Sequence, residues 1–334
     1  MNIGSWQFQA PDISGTAEQI KTPPVFLAPM AGITDRPFRQ LCRQLGAAMA
    51  ISEMVTSKAE LFNTLKTRTR LNHEGETKPI SVQILGTQAD QMAQAAVFNV
   101  LHGADIIDIN MGCPAKKVCN VSAGSALLKN ELLVSKILSA VVQAVSVPVT
   151  LKIRTGWDTN NKNAVKIAQI AEQCGIQALT IHGRTRACAY NGEAEYKTIR
   201  SVKQQVSIPI IANGDINSAE KALHVLQYSG VDAIMIGRAA VQAPWIFADI
   251  NHYLATGKHL PEPSLQKKSM IILGLLSDLY AFYGESHGTR MARKYLASII
   301  KPLSGGELFW KKINKITSAQ QQFTMTQNFF KNFN

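Results

Sequence analysis

A cysteine that could transfer a proton lies in the segment Asp108-Ile-Asn-Met-Gly-Cys-Pro-Ala-Lys-Lys117. The apolar run Ile106–Ile109 predicts a buried β-strand that ends at Asn110, and a turn then presents Cys113 beside two lysines. A thiol at the end of a buried strand, next to an amide and two cations, is suited to proton transfer. The alternative is a packing role in a tight turn, because free cysteine is among the most buried residue types. The segment alone leaves both interpretations open.

The elements that would position this cysteine follow a regular rhythm. Segments with helical patterns, such as Gln88–His102, Asn161–Cys174 and Ser218–Tyr228, alternate with short apolar runs that are typical of parallel strands covered on both sides. Eight such strand–helix units predict an α/β fold, a (β/α)8 TIM barrel. A doubly wound sheet is the alternative, but it usually carries a glycine-rich dinucleotide turn, and no GxGxxG or P-loop pattern occurs here. The predicted strands are Val25–Pro29, Met49–Ser52, Ile80–Leu85, Asp105–Ile109, Pro148–Ile153, Ala178–Ile181, Pro209–Ala212 and Asp232–Ile236.

The strand pattern stops after Leu254, and Pro261-Glu262-Pro263 is typical of a linker. Beyond it, helices are predicted over Ser264–Tyr283, His287–Ile300 and Leu308–Phe330. We therefore expect a barrel domain over residues 1–255 and a small C-terminal all-helical domain over residues 260–334. The residues before Lys21 are interpreted as an ordinary N-terminal extension.

The charge of the chain is strongly basic, with a net value of +12 over 334 residues. From Lys258 onward, 11 Lys/Arg oppose 4 Asp/Glu, so much of the excess lies in the predicted helical domain. A basic domain favours a polyanionic partner such as a nucleic acid. A merely soluble basic surface explains the charge equally well.

The cysteines show no spacing typical of metal ligands. An odd number of cysteines without a secretory leader indicates reduced thiols in the cytoplasm. Pro148 or Asp278 interrupts the most apolar stretches before they reach membrane-spanning length. We expect a soluble cytoplasmic protein without a metal site or a membrane anchor. The five cysteines are Cys42, Cys113, Cys119, Cys174 and Cys188.

Polar and glycine-rich residues end nearly every predicted strand. In a TIM barrel, the carboxyl ends of the strands meet at one rim, where active sites lie. A capping role for Asp215 and a structural role for Lys152 and His182 are the alternatives, but the joint pattern predicts a ligand site. The residues at the strand ends are Pro29, Met30, Ala31, Glu53, Gln83, Asn110, Cys113, Lys152, Arg154, His182, Arg184, Asn213, Gly214, Asp215, Gly237 and Arg238.

The last two strands narrow the choice of ligand. The turn at Gly214 and the pair Gly237-Arg238 occupy the usual phosphate position of a barrel. Lys152 and Gln83 suit the electron-rich edge of a planar cofactor, and Lys152 would stabilise negative charge on a reduced ring. Flavin mononucleotide (FMN) fits both ends.

Several motifs, in this order along the chain, resemble those of the tRNA-dihydrouridine synthases. The resemblance runs from Leu27 to Arg293-Lys294, and it is greatest to the bacterial B subfamily, for which Pro114-Ala-Lys-Lys-Val118 and Gly192-Glu-Ala-Glu-Tyr196 are the best markers. The motifs are Ala28-Pro-Met-Ala-Gly-Ile-Thr-Asp-Arg-Pro-Phe38, Asn110-Met-Gly-Cys-Pro114 with Gly124-Ser125, Leu151-Lys-Ile-Arg-Thr-Gly156, Ile181-His-Gly-Arg-Thr-Arg186, Ala212-Asn-Gly-Asp215 and Ile236-Gly-Arg238.

The resemblance implies an FMN-dependent enzyme that reduces the C5–C6 double bond of a D-loop uridine in tRNA, with position 17 favoured and NADPH as the electron donor. Reduced flavin would deliver a hydride to C6, and Cys113 would be the general acid that protonates C5. Asn110, Arg154 and Tyr190 would hold the uridine after it is flipped out of its stack. We expect the protein to be a monomer. By position, the flavin contacts fall on Pro29, Met30, Ala31, Gln83, Lys152, His182, Asn213, Gly214, Asp215, Gly237 and Arg238.

The helical domain then acquires a role in tRNA binding. On a helix, Arg290, Arg293, Lys294 and Lys301 fall in one stripe opposite apolar residues, which suits a phosphate backbone. A solvated face, or pairing with barrel acids such as Glu193 and Glu195, is the alternative for the stripe. For the whole chain, the alternatives are an FMN barrel reductase of a small molecule and a non-catalytic RNA-binding protein.

Overall fold

Eleven strands and fourteen α-helices form the part of the chain that the computed structural model describes, which is residues 1–9 and 22–331. The strands are β1 (Asn2–Ile3), β2 (Trp6–Gln7), β3 (Val25–Leu27), β4 (Met49–Ala50), β5 (Val55–Thr56), β6 (Ser81–Leu85), β7 (Ile106–Met111), β8 (Val149–Arg154), β9 (Ala178–His182), β10 (Ile210–Asn213) and β11 (Ala233–Ile236). The helices are α1 (Arg36–Gln44), α2 (Leu65–Arg70), α3 (Ala89–Leu101), α4 (Lys116–Cys119), α5 (Glu131–Ala144), α6 (Ala164–Gln173), α7 (Lys197–Lys203), α8 (Ala219–Ser229), α9 (Arg238–Gln242), α10 (Ile246–Thr256), α11 (Leu265–Tyr283), α12 (Glu285–Ile300), α13 (Gly306–Ile313) and α14 (Ala319–Lys331). Short 3-10 helices cover Ala59–Leu61 and Gly124–Lys129.

The sheet is a closed parallel barrel. Its strands are bonded in the order β4, β3, β11, β10, β9, β8, β7, β6, β5, and a bridge between Ile51 and Ser81 closes the ring. The second predicted strand is therefore split into β4 and β5, between which the chain turns Glu53 away from the ladder and toward the loop after β3. The prediction of a TIM barrel is confirmed.

Alternate residues of each strand face opposite sides of the sheet. On β7, Ile107 and Ile109 belong to the core between the sheet and the helices, whereas Ile106 belongs to the core inside the barrel. Asp108 and Asn110 share the inward face with Ile106 because side chains alternate with a period of two. The inside of the barrel is thus apolar at the amino ends of the strands and polar toward their carboxyl ends.

An N-terminal hairpin, which is not predicted from the sequence, covers the amino end of the barrel. β1 and β2 pair antiparallel, and Ile3 and Phe8 are buried in the cluster of inward-facing barrel residues. The ring of Phe8 packs edge-on against that of Phe26 at 5.3 Å. The rest of the predicted N-terminal extension, residues 10–20, lies outside the described residues.

The C-terminal helices α11 to α14 pack against one another and, through α11 and α12, against the barrel helices α1 and α9. The predicted linker lies between α10 and α11, where no helix or strand forms. The prediction of one helix over Leu308–Phe330 is wrong, because one helix ends at Ile313 and a second helix begins at Ala319. Ser318, whose hydroxyl accepts from Gln321 N at 3.4 Å, begins the second helix. No helix in the described ranges is long and apolar enough to cross a membrane.

Candidate active site

A cavity of about 710 Å³ opens at the carboxyl ends of the barrel strands. Its volume lies within the range typical of ligand sites. The basic residues predicted on α12 do not line it. The sequence-predicted residues that do line it are Pro29, Met30, Ala31, Gln83, Asn110, Cys113, Lys152, Arg154, His182, Tyr190, Asn213, Gly214, Asp215, Gly237 and Arg238.

The turn that carries Cys113 is fixed from both sides. The Asn110 Oδ1 accepts from the backbone N of Gly112 at 3.2 Å and of Cys113 at 3.0 Å. The Cys113 carbonyl accepts from the hydroxyl of Ser125 at 3.0 Å. Gly124 has a φ of +61°, and a Cβ there would lie 2.8 Å from the Cys113 carbonyl oxygen, so only glycine fits. The motif thus builds a rigid turn whose thiol faces the cavity.

The thiol of Cys113 is protonated at neutral pH. Burial raises the pKa of this half-buried group, and the neighbouring Cys119 raises it further, against the lowering effect of the Ala115 N–H, Arg154 and Lys152. A protonated thiol at a cavity wall can donate a proton to a bound ligand. The packing alternative is disfavoured because the cysteine is neither fully buried nor surrounded by apolar groups.

Arg154 holds the cavity wall together rather than pointing freely into it. Its side chain is 1% exposed. Its Nε donates to the Gly112 carbonyl at 3.0 Å, and its Nη1 donates to the carbonyls of Thr185 at 2.9 Å and Ala189 at 2.7 Å. The guanidinium therefore joins the Cys113 turn to the loop that carries Tyr190, which leaves only Nη2 for the predicted contact with a substrate.

Tyr190 stands at the mouth of the cavity, 56% exposed. Two guanidinium groups flank its ring, those of Arg154 at 5.5 Å and Arg238 at 5.0 Å from the centroid. Such cation–π contacts hold an aromatic ring in place without enclosing it. The ring remains accessible to a ligand that enters the cavity.

Lys152 and His182 carry different charges at neutral pH. Burial lowers the pKa of Lys152 to about 8, so the ammonium is still mostly protonated at pH 7. Burial, reinforced by Lys152 and three arginines, lowers the pKa of His182 to about 2, so its imidazole is neutral. Lys152 Nζ donates to Asn213 Oδ1 at 3.1 Å, and Asn213 Nδ2 donates to the Met235 carbonyl at 2.8 Å. The cavity therefore contains a cation that one amide oxygen orients.

Asp215 anchors two arginines instead of capping a helix. Its carboxylate accepts from Arg184 Nη1 at 2.9 Å and Nη2 at 2.5 Å, from Arg238 Nη2 at 2.9 Å, and from the Ala194 N at 2.9 Å. Although burial raises its pKa, these bonds hold it below the usual range, so the carboxylate is ionised. The capping interpretation is wrong, because the Ser218 side chain caps α8. Asp215 orients the exposed Arg238 beside the turn after β10.

The donor set fits a flavin mononucleotide. One side of the cavity offers the Lys152 ammonium and the Gln83 amide, which suit the polar edge of an isoalloxazine ring. The other side offers the Arg238 guanidinium beside two glycine turns, at Gly214 and Gly237, which suit a phosphate. Within residues 1–9 and 22–331, no group of three or more His, Cys, Asp or Glu side chains is arranged to hold a metal ion.

The predicted basic stripe on α12 is not uniformly free. Arg290 is exposed. Arg293 donates to the Ile316 carbonyl at 3.0 Å, Lys294 donates to the Gly32 carbonyl at 2.7 Å, and Lys301 pairs with Glu307 at 3.4 Å. The alternative of pairing with the barrel acid Glu195 is wrong, because Lys301 has Glu307 as its partner and Glu195 pairs with Lys162 at 3.1 Å.

Two residues near the site, Met54 and Asp108, are not among the predicted site residues. Met54 lines the cavity, but nothing in the sequence marks it. Asp108 lies inside the barrel below Asn110, and it is almost completely buried. Its position two residues before Asn110 on the same strand was a usable signal, because residues i and i+2 share a face.

The fold and this cavity define a TIM-barrel protein with a polar cavity at the carboxyl ends of its strands. The model of the family described as "Dihydrouridine synthase (Dus)" matches residues 26–334, and the chain belongs to that family. The predicted resemblance is thereby confirmed.

Similar proteins from three bacteria carry the name tRNA-dihydrouridine synthase B. The chain is 58% identical over 306 residues to the protein of Pseudomonas aeruginosa, covering 92% of each chain. It is 55% identical over 308 residues to that of Xanthomonas campestris, covering 92% of this chain and 93% of the relative. It is 54% identical over 308 residues to that of Vibrio cholerae, covering 92% of this chain and 96% of the relative.

Proposed function

We propose that the chain is a tRNA-dihydrouridine synthase that reduces the C5–C6 double bond of a D-loop uridine in tRNA, with FMN as cofactor and NADPH as electron donor. The observation that carries the proposal is the pair formed by Cys113 and Lys152, a protonated thiol and an ammonium that line one cavity. Reduction of a double bond by hydride transfer needs a proton donor and a group that stabilises negative charge. The names of the similar proteins support the same reaction.

Bound FMN would supply the hydride for C6 of the uracil. Lys152 and Gln83 would hold the polar edge of its ring, with Asn213 orienting the Lys152 ammonium at 3.1 Å. Arg238 and the backbone of the two glycine turns would hold its phosphate. The neutral His182 would complete the pocket as a hydrogen-bonding group without adding charge. Pro29, Met30 and Ala31 would border the ring, since they line the same cavity.

Cys113 would donate its proton to C5 of the uracil. The two N–H bonds to Asn110 hold the turn still, which keeps the thiol at a fixed reach. A uridine stacked in tRNA must be flipped out to enter the cavity, and the exposed ring of Tyr190 lies where the flipped base would pass. After each turnover the thiolate would take up a proton from solvent.

We infer that the barrel, residues 1–255, binds FMN and that the helical residues 260–334 bind tRNA. Arg290 is the best placed of the predicted contacts, because it is exposed on α12. We expect the protein to act as a monomer in the cytoplasm, which sedimentation of the purified protein, alone and with tRNA, would test.

The proposal is tested with purified protein and with tRNA from a strain that lacks the corresponding gene. The protein should be yellow, its flavin absorbance should be bleached by NADPH, and it should form dihydrouridine in that tRNA, which we expect at position 17. Mapping the product by mass spectrometry identifies the uridine. A protein that binds no FMN, or one that is reduced by NADPH but leaves tRNA unmodified, would refute the proposal.

A further inference from the structure

A buried chain of hydrogen bonds lies directly below the cavity. It begins at Asp108, which is 3% exposed on the inward face of β7. The Asp108 Oδ1 accepts from the Thr150 hydroxyl at 2.6 Å, and its Oδ2 accepts from Gln83 Nε2 at 2.6 Å. Gln83 Oε1 in turn accepts from Asn110 Nδ2 at 2.7 Å. Through Asn110, the chain reaches the backbone N–H groups of the Cys113 turn.

The direction of every bond in this chain is set at its two ends. The N–H groups of Gly112 and Cys113 can only donate, so Asn110 must present its oxygen to them and its Nδ2 to Gln83. Gln83 must then present Oε1 to Asn110 and Nε2 to Asp108. At that point only an acceptor fits, and Asp108 Oδ2 provides it. An amide flip anywhere in the chain would bring two donors or two acceptors together.

We propose that Asp108 is a positioning residue for the reaction, because it fixes, through Gln83 and Asn110, the turn that carries the Cys113 thiol. It does not line the cavity and so does not touch the substrate. Thr150 bonds to the same carboxylate but lies on a side branch of the chain. The inference rests on the proposed function for its effect on turnover, whereas its effect on the thiol is independent of that function.

The substitutions separate an acceptor role from a general packing role. Asp108→Asn can still present an oxygen to Gln83 and its amide nitrogen to the Thr150 hydroxyl, so the series of hydrogen bonds from residue 108 to the Cys113 turn should be preserved. Asp108→Leu removes the acceptor and leaves Gln83 free to flip. Thr150→Val is the matched control, since it removes a bond to the same carboxylate without interrupting the chain. If Asp108→Leu does not fold, the double variant Asp108→Leu/Thr150→Val is used in its place. The second substitution removes the Thr150 hydroxyl, which would otherwise be buried without its acceptor.

The first measurement is the rate at which iodoacetamide alkylates Cys113 in the full-length, folded protein. The extent of alkylation is then read from the tryptic peptides by mass spectrometry. Cleavage after Lys166 and Arg184 isolates Cys174, whose thiol contacts Ser135 and Ser139 rather than the Cys113 turn, so Cys174 serves as an internal reference. We expect Asp108→Leu to change the Cys113 rate several-fold or more and to leave the Cys174 rate unchanged. Asp108→Asn and Thr150→Val should both match the wild-type protein.

The second measurement is steady-state turnover with tRNA. Misplacement of a reacting group by 1 Å costs about 10²-fold, so Asp108→Leu should lower kcat by about that factor with an unchanged KM for tRNA. Asp108→Asn should restore it. The proposal would be overturned if Asp108→Leu kept the wild-type Cys113 alkylation rate and kcat. It would also be overturned if Thr150→Val had the same effect as Asp108→Leu, or if Asp108→Asn did not restore kcat. A wild-type protein that makes no dihydrouridine, while Asp108→Leu still alters only Cys113, would refute the proposed function alone.

Discussion

The Nζ of Lys294 donates to the carbonyl oxygen of Gly32 at 2.7 Å, across 262 positions of sequence. The bond joins α12 to the loop after β3, whose residues Pro29 to Ala31 line the cavity. The next residue on the helix, Tyr295, donates to the Ile33 carbonyl at 2.5 Å. Two successive side chains of the helical region therefore hold the cavity wall in place.

Lys294→Met should affect the flavin as well as the tRNA. Without the bond to Gly32, the loop after β3 loses one of its supports, so we expect weaker FMN retention in addition to any loss of tRNA affinity. Flavin occupancy after gel filtration and the Kd for tRNA are the two measurements. Unchanged flavin occupancy would limit Lys294 to the surface role that its sequence pattern suggests.

Arg290→Ala is the matched control. Arg290 is exposed on the same helix, so its removal should weaken tRNA binding and leave the flavin untouched. If it contacts one phosphate, the slope of log affinity against log salt should fall by about 0.7–0.9. Arg293 is less suitable for this test, because its bond to the Ile316 carbonyl gives it a structural role. An unchanged salt slope would remove Arg290 from the tRNA surface.

Cys113→Ala should keep bound FMN and its reduction by NADPH but lose most dihydrouridine formation. Only the proton donor to C5 is removed, and general acids contribute about 10²–10⁴-fold. The product is measured by mass spectrometry of tRNA nucleosides. Cys119→Ala, six residues further on, should retain activity. Similar rates for the two variants would argue against the role of Cys113.

Arg238→Ala should weaken FMN binding. A charge-assisted hydrogen bond to a phosphate contributes roughly 1.5 kcal/mol at a partly exposed site, which corresponds to about a tenfold change in Kd. The variant should purify with less flavin and regain activity when FMN is added. Full flavin occupancy would mean that the phosphate is held elsewhere on the rim.

Flavin reduction should depend on pH through Lys152. Burial lowers the pKa of this side chain to about 8, so its charge is present below that value and is lost as the pH rises through it. The rate of flavin reduction by NADPH should fall over the same range in stopped-flow measurements. Lys152→Gln should reduce the rate at pH 7 and abolish this limb of the profile. A wild-type profile that stays level to pH 9 would contradict the assignment.

Asp35 should make folding stability depend on pH. Burial raises the pKa of this carboxyl to about 6 from 3.8, so the folded state binds its proton more tightly than the unfolded state. The contribution to stability is complete below the unfolded pKa and is lost as the pH rises to about 6, at a cost of roughly 3 kcal/mol. Urea unfolding at pH 4 and pH 7 should therefore show a smaller difference for Asp35→Asn than for the wild-type protein. Equal differences would contradict the raised pKa.

The barrel and the contents of its cavity could be predicted because local signals decide them. Runs such as Ile106–Ile109 are buried on both faces, and their composition shows it. The rule that strand ends converge then places Gln83, Lys152 and Arg238 at one rim without knowledge of the contacts.

The contacts themselves could not be predicted, because they join residues that are distant in sequence. Arg154 has a substrate-binding pattern, yet three carbonyl groups from two loops occupy its guanidinium. Lys294 belongs to a basic stripe, yet its partner is a backbone oxygen of the first barrel loop. The hairpin β1–β2 consists of two short strands that become visible only when Ile3 and Phe8 are seen inside the barrel.

The β1–β2 hairpin also limits how molecules can reach the cavity. Because Ile3 and Phe8 fill the amino end of the barrel, any molecule that reaches the cavity must, as far as residues 1–9 and 22–331 are concerned, come through the mouth beside Tyr190. A nicotinamide donor and a flipped nucleotide would therefore compete for the same opening of the cavity. Under the proposed function, the donor would therefore reduce the flavin and leave before the tRNA nucleotide binds. The reduced flavin would hold the electrons between these two steps.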